Sequence, residues 1–309
     1  MPKRGRYAIM SKKHLERKCD VQIKAYAKIN LYLNVTGRRS DGYHDIVSIM
    51  QTVDLYDTVT VSIDRQAPGE ILLSCDAGLP CDERNLAYRA AKAYFGGEVP
   101  YRIEINVQKR IPQEAGLAGG SADCAAVLRA LNAELGVYDQ QGLIDLGASL
   151  GADVPFCLVG GTKITRGIGE KMQDCPPMPD CYTVIARGGQ GVSTPAAYKA
   201  LDGLYGDFSA QKKQSEQGLA DILDAMQRGD LGATGASMYN VFESVVLPVH
   251  EVASALRQDM QSSGATGVLL SGSGPSIVGF FDCPKKAQKV QNAISQKGIA
   301  AFVARPVNQ

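Results

Sequence analysis

The sequence of 309 residues has no tryptophan, three histidines and almost no net charge. Its formal charge of +1 at pH 7 does not indicate the basic surface that binds nucleic acid or an anionic membrane. No segment approaches the ~18 consecutive apolar residues of a membrane-spanning helix. We therefore expect neither a nucleic-acid partner nor a membrane partner.

The cysteines do not form a recognisable framework. The chain has 8 of them, well separated, and no C-x-x-C pair occurs. With 3 histidines in the whole chain, a zinc site is not expected. Free thiols in a reducing compartment are the simplest interpretation, so we expect a cytoplasmic protein.

Length and composition are typical of a globular enzyme, with 45% hydrophobic and 21% charged residues. On a prior of ~150 residues per domain, the chain predicts two domains. Residues 1–20 are a basic tail without the apolar centre of a secretory signal, and Met10 is a second candidate for the start of translation. Glycine and proline become frequent around residues 160–161, which predicts domains over 21–160 and 161–309.

The most informative segment is 111–128, IPQEAGLAGGSADCAAVL. Gly116 to Ser121 contain three glycines and a serine, and apolar residues at helical spacing follow. Ser121 is a good helix N-cap, and Asp123 suits a first turn. The preceding residues 101–107 alternate like a strand, so a glycine loop leads from a strand into a helix N-terminus. Such a loop cradles a phosphate about as often as it makes a simple tight turn, and it matches neither a Walker A loop nor the dinucleotide fingerprint.

Residues 21–35, VQIKAYAKINLYLNV, alternate between apolar and polar or aromatic side chains. This period predicts a half-buried strand. Lys28 and Asn30 lie on the same face of that strand. They either point together into a cleft or belong to an ordinary solvent face, and periodicity alone favours the solvent face.

Four further residues are candidates for binding or catalysis. Tyr43 and His44 lie at the end of the polar loop 37–44, where a planar ligand can stack on the tyrosine and form a hydrogen bond with the histidine. The alternative is a tyrosine packed over a strand end beside an exposed histidine. Asp153 lies in an apolar segment, where a carboxylate needs a partner, so it is either a functional acid or base or a helix cap. Asn85 is placed to cap the next predicted helix.

The remaining pattern predicts an α+β protein whose later part is ferredoxin-like. Residues 207–218 are polar and predict a loop. The predicted helices are 84–95, 140–150, 219–228, 247–262 and 284–296. The predicted strands are 58–63, 70–75, 101–107, 182–186, 268–270, 277–281 and 300–303.

Four segments together resemble the GHMP kinase superfamily, whose members phosphorylate small alcohols with ATP. They are AKINLYLNVTGRRSDGYHDI, PQEAGLAGGSADCAA, GADVPF and LSGSGPS. The resemblance extends from about residue 25 to residue 281, and the ending Asp-Gly-Tyr-His is its most specific part. It implies a ribosomal-protein-S5-like N-terminal domain, a ferredoxin-like C-terminal domain and an active site in the cleft between them.

The resemblance also implies a role for each matching residue. Lys28 and Asp153 match the catalytic pair. The ATP-binding residues are Asn85, close to adenine, and Pro112, Gly116, Leu117, Ala118, Gly119, Gly120, Ser121 and Ala122 in the phosphate loop. Ser121 is also a weak candidate for a Mg²⁺ ligand, and Ala118 and Asp123 depart from residues that some members carry. The substrate-binding residues are Asn30, Tyr43, His44, Thr194, Tyr198, Gly272 and Ser273, with Tyr198 as the ring over the second face of a cytosine.

The expected activity is therefore ATP-dependent and Mg²⁺-dependent phosphorylation of a cytidine-diphosphate-linked sugar alcohol, a step of the non-mevalonate route to isoprenoid precursors. A GHMP kinase for mevalonate or homoserine is the nearest alternative, although those substrates carry no base for Tyr43 and His44. A nucleotide-binding homologue without catalysis is the second alternative, but it would need neither Lys28 nor Asp153. No coiled-coil pattern is present, so we expect a monomer or a weak homodimer.

Overall fold

A computed structural model describes residues 19–308. The predicted basic tail over residues 1–20 therefore lies outside the described residues, except for Cys19 and Asp20, which begin the first strand. The strands are β1 Cys19–Arg38, β2 His44–Asp64, β3 Glu70–Cys75, β4 Arg102–Gln108, β5 Thr162–Gly167, β6 Lys171–Asp174, β7 Tyr182–Arg187, β8 Tyr239–Asn240, β9 Gly267–Leu270, β10 Ser276–Phe281 and β11 Ala301–Ala304. The helices are α1 Leu86–Tyr94, α2 Gly119–Leu135, α3 Gln140–Leu150, α4 Val154–Val159, α5 Thr194–Tyr205, α6 Ser209–Gln227, α7 Leu231–Ala236, α8 Glu243–Val246, α9 Glu251–Ser262 and α10 Pro284–Gln296.

Contacts along the chain divide it into two compact units. Of the described residues, the first unit holds 19–25, 57–109 and 120–158, and the second unit holds 26–56, 110–119 and 159–308. Each unit thus draws on segments that are far apart in the sequence. The two sequence-based domains, 21–160 and 161–309, follow chain order instead, and their boundary stays a prediction.

The first unit is built on the end of β2 and on β3 and β4. Residues 58–64 of β2 pair antiparallel with β4, and β4 pairs parallel with β3. The inward side chains of β4, Ile103, Ile105 and Val107, are buried, as their alternation predicted. Helix α2 contributes an almost continuous row of buried small and apolar residues, because it is covered on most of its surface.

The second unit contains a four-stranded antiparallel sheet in the order β11-β7-β10-β9. Helices α5 to α9 lie between β7 and β9 in the chain, and α10 lies between β10 and β11. This βαββαβ plan is that of a ferredoxin-like layer, so the predicted α+β class and the ferredoxin-like part are confirmed. Every residue of β10 is buried, which makes it the centre of this core. The same unit also holds β1 from residue 26 onward, β5, β6 and β8, together with the start of β2, where residues 46–51 pair with β5.

Two predictions in this part of the chain are wrong. The polar segment 207–218 is not a loop, because α6 runs without a break from Ser209 to Gln227. Its lysines, glutamines and alanines are good helix formers, and the helix buries Leu219, Ile222 and Met226 at helical spacing. The helix predicted over 247–262 begins at Glu251, since residues 247–249 form a separate tight turn that contains a proline.

No helix within residues 19–308 combines the length and apolar character needed to cross a membrane.

Candidate functional site

The glycine loop ends in a helix that starts earlier than predicted. Glu114, Gly116 and Ala118 have φ values of +50°, +74° and +56°, so the chain turns through left-handed conformations before α2 begins at Gly119. Ser121 is therefore not the N-cap that the sequence predicted. It lies in the first turn of α2 and is partly exposed. The helix starts directly after Ala118 because that residue, with its positive φ, cannot belong to the helix.

The start of α2 has the properties of an anion site. The first four N–H groups of a helix have no acceptor inside the helix, and the helix dipole concentrates positive potential there. The first turn of α2 contains no acidic side chain that would neutralise this potential, and Gly120 is exposed. A Cβ at Gly120 would meet nothing closer than a Leu86 methyl group at 3.8 Å. The start of α2 is thus open at Gly120, one of the predicted phosphate-binding residues, so a phosphate can approach the helix N-terminus there.

The loop is held by two other segments of the second unit. The Lys28 N–H donates to Leu117 O at 3.1 Å, and Ser271 Oγ donates to Gly116 O at 3.0 Å. A Cβ on Gly116 would lie 2.0 Å from Ser271 O, so no larger residue fits at this crossing. Segments that are distant in sequence therefore fix the backbone of the glycine loop.

Lys28 and Asn30 are buried, with exposed fractions of 5% and 1%, so the solvent-face interpretation of their strand is wrong for them. Lys28 Nζ donates to Asn30 Oδ1 at 2.9 Å, and the same oxygen accepts from the Gly272 N–H at 3.0 Å. Asn30 Nδ2 donates to Ser48 Oγ at 2.8 Å. The amide of Asn30 thus bonds to Lys28, Gly272 and Ser48, and it positions the Lys28 ammonium.

The second small-residue loop, 271–276, lies beside Lys28. A Cβ on Gly272 would stand 3.5 Å from Lys28 Nζ, and the φ of Gly272 is +56°. Ser273 Oγ and Thr194 Oγ1 are 2.8 Å apart and exposed, which joins this loop to the start of α5. Asn240, which the sequence did not single out, donates from Nδ2 to both Leu270 O and Gly272 O. An isolated asparagine in a two-residue strand gives no sequence signal for such a role.

The aromatic candidates form a cluster at the start of β2. Tyr43 is 61% exposed, whereas the His44 ring is buried and stacks on Tyr198 at 4.6 Å between ring centroids, with 19° between the planes. Because a third ring between them would double this separation, no base can lie between His44 and Tyr198. His44 Nε2 is 2.7 Å from Asp202 Oδ1. Asp202 was not predicted as a functional residue, although it lies four residues after Tyr198 and therefore on the same face of α5.

The remaining candidates, Asp153 and Asn85, belong to the first unit. Asp153 is partly buried immediately before α4, and its carbonyl accepts from the Cys157 N–H at 3.1 Å. An ideal Cβ on Gly151 would be 4.0 Å from Ser121 Oγ, so the loop that carries Asp153 lies next to the start of α2. Asn85 caps α1, as predicted, by accepting from the Ala87 N–H at 2.9 Å.

A buried charge cluster beneath α2 was also missed. Lys109 Nζ donates to Asp123 Oδ2 at 2.7 Å and to Asp57 Oδ2. All three side chains are buried, and Asp123 Oδ1 has no hydrogen-bond partner among the described residues. Burial raises the pKa of Asp123 to about 7, and the charge of Asp57 adds to this rise while Lys109 opposes it. The cluster anchors α2 to β2 and to the residue that follows β4.

Within residues 19–308 no group of three or more histidine, cysteine, aspartate or glutamate side chains is arranged to hold a metal ion. The seven cysteines whose side chains the structure describes are free thiols.

Comparisons with known proteins match most of the chain. The family model of the GHMP kinases N terminal domain matches residues 85–161, and the model of the GHMP kinases C terminal part matches residues 222–300. A 4-diphosphocytidyl-2-C-methyl-D-erythritol kinase of Clostridium botulinum (strain Eklund 17B / Type B) is 40% identical over 290 residues, which are 93% of this chain and 100% of the relative. The enzyme of the same name from Exiguobacterium sibiricum is 41% identical over 88% of this chain and 93% of the relative.

Solved structures give the same result. A crystal structure of 4-(cytidine 5'-diphospho)-2C-methyl-D-erythritol kinase superposes with a TM-score of 0.76 at 30% identity, covering 94% of this chain and 100% of that one. A crystal structure of L. major mevalonate kinase in complex with R-mevalonate has a TM-score of 0.70 at 15% identity, covering 94% of this chain and 98% of that one. At that identity the likeness concerns the fold alone.

Proposed function

Because the chain belongs to the GHMP kinase family, on the branch of the 4-diphosphocytidyl-2-C-methyl-D-erythritol kinases, we propose that it transfers the γ-phosphoryl group of ATP to the 2-hydroxyl of 4-diphosphocytidyl-2-C-methyl-D-erythritol. This reaction belongs to the non-mevalonate route to isoprenoid precursors. The observation that carries the proposal is the convergence of a buried Lys28, the glycine loop and the 271–276 loop. These segments are the parts of the chain that the family resemblance assigns to phosphoryl transfer.

The glycine loop suits the phosphates of ATP, the phosphoryl donor of this family. The free N–H groups at the start of α2 and its dipole would hold the β- and γ-phosphates. Ser121, in the first turn, would be a protein hydroxyl that could hold Mg²⁺, an ion that would neutralise part of the phosphate charge. Asn85, at the start of α1, would lie near the adenine.

The chemistry needs positioning and charge stabilisation more than covalent work by the protein. The substrate hydroxyl loses its proton to the Asp153 carboxylate as its oxygen attacks the γ-phosphorus, and the bond from that phosphorus to the bridging oxygen of ADP breaks. The Lys28 ammonium stabilises the negative charge on the transferring group and on the hydroxyl oxygen. Asn30, which the family resemblance places at the substrate, would also hold this ammonium in place through its side-chain carbonyl.

Recognition of the base would occur at the start of β2. The exposed ring of Tyr43 offers a stacking surface, and His44 offers a polar ring atom beside it. Because one face of Tyr198 is covered by His44, a cytosine would contact Tyr198 only on its other face or its edge. Thr194 and Ser273, whose hydroxyls are joined to each other, would contact the substrate together with Gly272, which lies beside Lys28.

A coupled assay of ADP release tests the proposal against its alternatives. The protein is incubated with Mg-ATP and separately with the cytidyl substrate, mevalonate and homoserine. We expect turnover with the cytidyl substrate alone. Turnover with another alcohol would keep the kinase chemistry but contradict the base recognition by Tyr43 and His44, whereas ATP binding without any ADP release would favour a non-catalytic homologue.

A further inference from the structure

The imidazole of His44 is held on three sides. Its Nε2 atom is 2.7 Å from Asp202 Oδ1, its face lies on Tyr198, and its edge meets Phe208 at 5.7 Å between centroids and 78° between planes. Tyr198 and Asp202 are one helical turn apart on α5, so one helix face supplies both the stacking surface and the carboxylate. The ring can neither rotate nor flip without losing these contacts.

The bond to Asp202 fixes which nitrogen of the ring carries hydrogen. An ionised carboxylate only accepts hydrogen bonds, so Nε2 must donate. In the neutral imidazole the other nitrogen, Nδ1, then presents a lone pair. The second oxygen of Asp202 lies 4.0 Å from Arg38 Nη1. Asp202 is the sole hydrogen-bond partner of the imidazole within the described part of the chain.

We infer that Asp202 is a positioning residue that makes His44 Nδ1 a hydrogen-bond acceptor and thereby selects a base with an exocyclic amine over one with a carbonyl at the same place. This inference rests on the proposed function. An amine at the 4-position of a pyrimidine donates to the Nδ1 lone pair. A carbonyl oxygen at the same position also presents a lone pair. It would face His44 Nδ1 as a second acceptor, and neither atom would receive a hydrogen bond. The chain would therefore discriminate cytosine from uracil through Asp202, a residue that contacts neither base.

If Asp202 had a merely structural role, its replacement would not change the selectivity between bases. This selectivity is therefore the quantity to measure. The values of kcat/KM are determined for the cytidine-diphosphate substrate and for its uridine-diphosphate analogue, with wild type and with Asp202→Asn. Asparagine keeps the size of the side chain, but its amide can present either an acceptor or a donor to Nε2, so the ring is no longer held in one tautomer. We expect wild type to prefer the cytidyl substrate by about 100-fold and the variant by less than about 10-fold, with the loss in KM rather than in kcat.

Asp224→Asn is the matched control. Asp224 is exposed on α6 and pairs with Arg228, so the same chemical change there removes only a surface ion pair. Base selectivity should stay at the wild-type value in this variant.

Nitrogen NMR of the histidine side chains provides a second, substrate-free readout. The chain has 3 histidines, so the His44 signals can be assigned by comparison with His44→Gln. In the neutral form of the ring we expect the hydrogen on Nε2 in wild type and a mixture of tautomers in Asp202→Asn. A wild-type ring protonated at Nδ1, or unchanged base selectivity in Asp202→Asn, would overturn the inference while leaving the proposed function intact. A wild type that turns over neither substrate contradicts the proposed function, and the inference falls with it.

Discussion

Lys28 Nζ donates to Asn30 Oδ1 across 2.9 Å, between two buried side chains on one face of β1. A buried ammonium costs free energy unless its hydrogens are accepted. The asparagine carbonyl is a neutral group that accepts one of them. The pair thus gives the ammonium a fixed position, which electrostatic stabilisation of phosphoryl transfer requires.

Asn30→Ala should reduce kcat by roughly 10- to 100-fold, because the ammonium loses its fixed position and the Gly272 N–H loses its acceptor. We also expect a loss of about 1–3 kcal/mol of unfolding free energy. Steady-state kinetics and urea denaturation measure the two effects. Asn34→Ala is the control, since Asn34 is equally buried on the same strand but donates to Gln211 O instead. Similar losses of kcat in both variants would show that Asn30 acts only through stability.

Gly116→Ala should distort the glycine loop. The new Cβ would lie 2.0 Å from Ser271 O at a φ of +74°, so the two loops must separate. We expect a loss of at least about 2 kcal/mol in unfolding free energy and weaker ATP binding by calorimetry. Ala118→Gly is the opposite change, because its φ of +56° suits glycine, and it should leave stability equal or raise it by up to about 1 kcal/mol. Normal ATP affinity in Gly116→Ala would contradict a phosphate role for this loop.

The glycine loop is the part of the site that local sequence predicted best. Glycines next to a helical pattern indicate a turn into a helix whatever the rest of the chain does, and α2 is present where the pattern placed it. The predicted N-cap, Ser121, places the first residue of the helix three positions too late, since α2 begins at Gly119. This start depends on Ala118 adopting a positive φ, and contacts of the loop with Lys28 and Ser271 impose that conformation.

Stability should depend on the pH in a direction set by Asp123. Burial raises its pKa to about 7, above the value of about 3.9 expected in the unfolded chain. Between these two pH values the folded protein therefore holds a proton on Asp123 that the unfolded chain has released. The stabilising contribution is complete below the unfolded-state pKa and is lost as the pH rises through about 7.

Asp123→Asn removes this titration. The unfolding free energy of the variant should therefore rise relative to that of wild type as the pH increases from about 5 to about 8, by at most about 1.4 kcal/mol per pH unit. Urea denaturation at several pH values measures the difference. Asp145→Asn, an exposed aspartate of α3, should show no such trend. A wild type that gains stability over Asp123→Asn as the pH rises would mean that Asp123 is ionised and stabilised by Lys109.

The charge cluster and Asp202 could not be predicted from the sequence for a common reason. Lys109, Asp57 and Asp123 come from three elements, and no local pattern reports that their side chains meet. Asp202 contacts a histidine on a distant strand. The sequence predicted the secondary structure around these residues well where apolar periodicity was clear. It failed for α6, whose first half buries few apolar side chains and therefore lacks that signal.

Tyr43→Ala should raise the KM for the cytidyl substrate by about 10-fold, because stacking of a base on an aromatic ring is worth about 1–3 kcal/mol. Tyr43 is exposed, so the unfolding free energy and the KM for ATP should change little. Tyr43→Phe keeps the stacking surface and should remain close to wild type. An unchanged KM in Tyr43→Ala would remove this residue from the base site.

The most direct test of the central claim is ³¹P NMR of the product formed from Mg-ATP and 4-diphosphocytidyl-2-C-methyl-D-erythritol. We predict one new phosphate ester, on the 2-hydroxyl, with wild type and with Asp145→Asn. With Asp153→Asn we predict a rate lower by about 10²- to 10⁴-fold, the usual contribution of a general base. Free phosphate in place of the ester, an ester at another hydroxyl, or a full rate in Asp153→Asn would contradict the account.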